Sequence, residues 1–101
     1  MIIELDENNF DKETSKGLKL IEFYTTWCMY CKKQRIEFQD LENSDIWIGI
    51  VDGDESPNLV QKYQIEGFPT FVLLKDGEVV VKFSGFHNKS QLFAKLMNYM
   101  A

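Results

Sequence analysis

Cysteine, proline and histidine are all scarce in this chain of 101 residues, at two, two and one. A metal site usually takes four protein ligands, and His87 shows no ligand-like spacing to either cysteine, so no metal centre is expected. No basic run is present either: 11 Lys and Arg stand against 16 Asp and Glu, a formal charge of −5. That balance argues against nucleic acid or an anionic membrane as partner. No apolar run approaches the ~20 residues of a membrane span. The opening "MIIELDENNF" lacks the basic region, longer apolar stretch and small-residue cleavage site of a secretory signal. A cytoplasmic location is therefore expected. A glycine-rich phosphate loop is missing too, which gives the chain no nucleotide site of its own.

What is present is ordinary globular material: 45% hydrophobic, 27% charged and 14% aromatic residues. A chain of this length can bury one core and has no room for a second, so one domain over 1–101 is expected. Such a core holds without covalent staples, so the cysteines are not needed to tie the fold together. Short apolar runs alternate with amphipathic segments. Strands are predicted at 2–5, 18–25 and 46–52, and two more over "TFVLLKDGEVVVKFSG", joined at the turn Asp76-Gly77. Helices are predicted around Phe10, closed by Gly17, over 30–41, and after Ser56-Pro57. A last helix follows Asn88, with Gln91 completing a capping box and Leu92, Phe93, Leu96, Met97 and Met100 on its apolar side. The order β-α-β-α-β-α-β-β-α implies an α/β fold with a mixed central sheet. Its core is parallel, a hairpin adds an antiparallel piece, and helices flank both faces.

Both cysteines fall in "TTWCMYCKKQ", where the second strand turns into its helix. Open α/β sheets place functional groups at such strand ends. The free N–H groups and dipole of a helix N-terminus favour negative charge, so Cys28 is expected to attack as a thiolate. Cys28 is expected to face solvent, and Cys31, in the first helical turn, to lie tucked beneath it and to resolve a mixed disulfide formed there. In a reducing cytosol a close pair of this kind reads as redox before structural. Two inert buried thiols, or a metal bridged between two chains, are the alternatives. Glu22 is the odd polar residue in an otherwise apolar strand. Buried behind the pair, it would have a raised pKa and could pass a proton to or from Cys31. A solvated Glu at an edge, or one paired to a lysine, is the plainer reading. Trp47, Phe71 and Phe83 are expected in the core, and His87 on the surface.

The sequence resembles the thioredoxin family over nearly its whole length. The resemblance is carried by "WCMYC" at Trp27 to Cys31, "GFPT" at Gly67 to Thr70, "LLKDGEVV" at Leu73 to Val80, and Gly85 ahead of the last helix. It implies the thioredoxin fold and reduction of protein disulfides by dithiol exchange through Cys28 and Cys31. It implies a cis Pro69 beside the pair, with Phe68 offering its backbone to an extended substrate. Trp27, Met29, Tyr30 and Gly85 would complete the substrate surface. It also implies a monomer with a redox-active disulfide and no bound cofactor. Protein disulfides would be its substrates, and a thioredoxin-reductase-like protein, often flavin- and NADPH-dependent, its electron donor. A glutathione-linked, glutaredoxin-like enzyme and a non-catalytic binding module are the rival readings. Three features depart from the family pattern. Met29-Tyr30 replaces Gly-Pro, Ile50 stands where a lysine commonly accompanies the buried acid, and Ile36 replaces a helix-kinking proline. These bear on redox potential and partner choice, not on the basic reaction.

Overall fold

The computed structural model describes residues 1–100. Five strands, β1 (Ile2–Leu5), β2 (Leu18–Tyr24), β3 (Ile48–Asp52), β4 (Thr70–Lys75) and β5 (Glu78–Ser84), form one sheet in the order β1-β3-β2-β4-β5. β3 runs parallel to both β1 and β2, while β4 pairs antiparallel with β2 and β5. The mixed sheet expected from the alternation is therefore present. The helices are α1 (Phe10–Thr14), α2 (Met29–Gln39), α3 (Pro57–Lys62) and α4 (Lys89–Leu96), and a 3₁₀ turn covers Met97–Tyr99.

Side-chain alternation along the strands sorts the core into two clusters. Leu20, Ile48, Ile50, Phe71 and Leu73 pack against Phe38 of α2 and against Leu92 and Leu96 of α4. On the opposite face Ile21, Phe23, Val51, Val72 and Leu74 meet Phe10 of α1 and Leu59 of α3. Strands buried on both faces must be apolar almost throughout, which is why β2 to β4 read as near-continuous hydrophobic runs. Glu22 therefore lies on the α2/α4 face, between Leu20 and Tyr24. Its register partners are Ile50 on β3 and Phe71 on β4.

Local signals explain most boundaries. Asp76 (φ 51°) and Gly77 (φ 85°) form the two-residue link between β4 and β5, a left-handed pair that suits the strand twist. A register shift between Leu73 and Leu74 marks a bulge in that ladder. Asn88 caps α4 and forms the expected capping box with Gln91, each bond at 2.9 Å. Two expectations differ. Ser56 precedes Pro57 at the start of α3 but makes no side-chain cap; its hydroxyl is buried without a partner. After Leu96 a 3₁₀ turn follows the helix, and Met97 and Met100 lie exposed, at 67% and 45%, instead of in the core.

Candidate active site

α2 begins shortly after the C-terminal end of β2, so both cysteines lie at the edge where the parallel strands end. Cys28 is the N-cap of α2, with extended backbone (φ −89°, ψ 114°), and its Sγ accepts the Cys31 N–H at 3.1 Å. Cys28 and Cys31 are joined as a disulfide, and their Cα atoms lie 5.2 Å apart. Cys31 is buried beneath the first turn as expected. Cys28 differs: in this oxidised pair it is only 7% exposed, against 4% for Cys31. What faces solvent are its neighbours Trp27, Met29 and Tyr30, at 66%, 70% and 60%.

At the same end of the sheet, just before β4, the Phe68–Pro69 peptide bond is cis and Pro69 is buried. The Pro69 carbonyl accepts the Gly85 N–H at 2.9 Å, which ties the start of β4 to the end of β5. The Trp27 indole meets the Phe68 ring edge-on at 6.1 Å and donates to Asp54 Oδ2 at 2.9 Å. Phe68 also closes over Gly53, where an added Cβ would lie 2.6 Å from the ring. The structure thus brings Trp27, Phe68, Pro69, Gly85 and the cysteines to one end of the sheet.

Glu22 is 0% exposed, and neither carboxylate oxygen has a hydrogen-bond partner. Burial between Ile50 and Phe71 raises its pKa from an ordinary 4.5 to about 8, because desolvation disfavours the charged form. The Arg35 guanidinium opposes this shift. A solvated Glu22 is thereby ruled out, and no cation stands at Ile50, which is itself buried. Cys31 also lines a cleft of about 430 Å³ beside α2, shared with Tyr24, Thr25, Thr26, Arg35 and Ile36.

Three contributors carried no sequence signal. Gln34, fully buried, donates through Nε2 to the His87 carbonyl at 2.8 Å and accepts the His87 N–H at 2.9 Å. His87 is consequently not a plain surface residue: its ring lies half-buried against Phe71 and Phe83, at 5.7 and 4.8 Å. Asp54 orients Trp27, and Arg35 stacks over the Tyr24 ring at 5.0 Å. Trp47 is half-buried beneath the Lys19 ammonium, while Phe71 and Phe83 are core residues as expected.

A family model described as Thioredoxin matches residues 1–98. The thioredoxin of Staphylococcus haemolyticus is 34% identical over 94 residues, 90% of each chain. That of Listeria monocytogenes is 32% identical over 103 aligned positions, covering 99% of this chain and 100% of its own. Among solved structures, a single-site mutant of a thioredoxin from Halobacterium salinarum superposes with a TM-score of 0.90 at 26% identity, covering 99% of this chain and 91% of that one. The thioredoxin of Malassezia sympodialis gives 0.87 at 25% identity, covering 100% and 92%.

Proposed function

Since this chain belongs to the thioredoxin family and is a thiol–disulfide oxidoreductase, we propose that it reduces protein disulfides with Cys28 as the attacking thiol. The carrying observation is the Cys28–Cys31 disulfide at the N-terminus of α2, with Cys28 as N-cap. A helix N-terminus stabilises the thiolate that reduction creates there.

The Cys28 thiolate attacks one sulfur of the substrate disulfide. A mixed disulfide forms, and the first substrate thiolate leaves and takes up a proton. Glu22, as the carboxylate, accepts the Cys31 proton. The Cys31 thiolate then attacks Cys28 Sγ, which forms the intramolecular disulfide and expels the second substrate thiolate; this takes up a proton, and Glu22 releases the one it accepted. Two electrons and two protons pass from the enzyme dithiol to the substrate. With a pKa of about 8, Glu22 is mostly protonated at neutral pH yet close enough to it to exchange its proton.

Phe68 and Pro69 form one wall of the docking groove, Trp27, Met29 and Tyr30 the other, and Gly85 leaves room at its end. An extended substrate segment adds there as a short strand. Protein disulfides are the substrate class, and a thioredoxin-reductase-type flavoprotein returns the electrons. The chain works as a single-domain monomer in the cytoplasm.

Insulin reduction driven by dithiothreitol is the test. Wild type is expected to accelerate precipitation, Cys28→Ser to abolish the effect, and Cys31→Ser to stall as a substrate mixed disulfide. A Cys28→Ser variant as active as wild type would refute the mechanism.

A further inference from the structure

Three buried polar groups without partners lie on β2, just after it and on α2: the Glu22 carboxylate, Thr25 Oγ1 and Arg35 Nε. Buried polar groups are nearly always paired, so three together mark a place with work beyond packing. Thr25, Arg35 and Cys31 line the cleft itself. Arg35 follows Cys31 by four residues on α2, one turn along the same helix face. Its guanidinium is held over the Tyr24 ring at 5.0 Å, and Tyr24 is two residues beyond Glu22 on the same side of β2. The Tyr24 hydroxyl in turn donates to the Glu4 carboxylate at 3.1 Å. Arg35 thus stands over the strand position next to Glu22 on the one side that is not hydrocarbon.

We propose that Arg35 is a positioning residue for the second exchange step: its guanidinium, anchored on Tyr24 at the mouth of the cleft that Cys31 lines, supplies the positive field under which Glu22 accepts the Cys31 proton. This rests on the proton-transfer role of Glu22 given above. The other elements packed around that acid supply no such field. β3 and β4 present Ile50 and Phe71, and α4 presents Leu92 and Leu96. Lys32 on α2 is exposed, His87 lies beyond Phe71, and Asp52 and Glu4 act on Tyr24. Among the described residues, Arg35 is the one charged group that acts on Glu22, and it favours the carboxylate. Arg35 does not touch substrate or the reacting sulfurs in this scheme; it acts through Glu22.

The test isolates the Cys31 step. Reduced enzyme is mixed with Ellman's reagent, and release of the second thionitrobenzoate is followed by stopped flow across pH. In wild type the rate should rise along a limb set by Glu22. Arg35→Met keeps an apolar stem over Tyr24 but removes the charge, and should move that limb up by about one pH unit. This corresponds to roughly tenfold slower release at neutral pH. Arg35→Lys should restore most of the position. In a Glu22→Gln background Arg35→Met should change nothing further. An infrared titration of the Glu22 carboxyl in the oxidised protein should show the same displacement without any turnover. If Glu22→Gln leaves the limb in place, the proton-transfer reading fails. If Glu22→Gln removes it but Arg35→Met leaves limb and infrared titration unmoved, or acts equally in both backgrounds of the cycle, the role of Arg35 fails while that of Glu22 stands.

Discussion

At the residue scale the chain carries one costly side chain. Glu22 titrates at about 8 in the fold against 4.5 when free. Below the free value both states hold the proton and there is no penalty. Above it the unfolded chain releases a proton that the fold retains, so stability falls as pH rises to about 8. The slope is ~1.4 kcal/mol per pH unit and the total roughly 5 kcal/mol. Glu22→Leu should therefore be more stable than wild type, by a margin that widens from pH 5 to pH 8. Urea unfolding of the oxidised proteins at several pH values checks this, and a constant margin would contradict it. A second residue-scale prediction concerns Gly53, whose added Cβ would meet Phe68 at 2.6 Å. Gly53→Ala should push the Phe68 ring off its place and raise KM for insulin several-fold. Turnover of Ellman's reagent, which needs no extended groove, should stay the same. These two sites differ in how openly the sequence shows them. Glu22 breaks an apolar run, and the cysteines are neighbours in the chain. Gly53 and Phe68, or Trp27 and Asp54 at a separation of 27 residues, meet only after the sheet has formed.

At the scale of elements, α2 is fastened at its start and its middle. Cys28 caps the first turn, and Gln34 clamps the helix to the backbone of His87, 53 residues away. Gln34→Leu would leave a buried N–H and a carbonyl unpaired, at a cost of about 2–3 kcal/mol. The urea midpoint should fall accordingly, with an unchanged m-value; a midpoint within experimental scatter of wild type would show that the clamp carries no weight. The order of elements was legible because hydrophobic period, turn residues and caps are local properties: Asp76-Gly77 and Asn88 with Gln91 are read directly. What was not legible depends on packing. No pattern in "QLFAKLMNYM" distinguishes Met97, which turns outward, from Leu96, which α4 buries. Likewise Ser56 has the composition of a cap, but the Asn58 N–H at the start of α3 donates instead to Glu7 Oε2 at 2.8 Å, from 51 residues away in the chain.

On the scale of the whole molecule, charge does little of the holding. Among the described residues, the two surface ion pairs, Lys62–Asp11 and Lys89–Asp40, are long at 3.8 and 3.9 Å and join exposed side chains. Such pairs contribute at most about 1 kcal/mol each. The two hydrophobic clusters carry the stability, and a net charge of −5 adds mild self-repulsion. Raising the salt from about 0.05 to 0.5 M, well past the screening of surface charge, should leave the thermal midpoint unchanged or slightly higher. A clear fall would mean that ion pairs matter more than burial. The bulge in the β4–β5 ladder has a bearing on life in concentrated solution. β5 is one rim of the sheet and β1 the other. The bulge adds local twist to the first rim, where Glu78 and Lys82 are exposed, and the second is only four residues long and exposes Glu4. Neither rim offers a flat, uncharged template for a stray chain, so this thiol–disulfide oxidoreductase is itself poorly suited to seed aggregates.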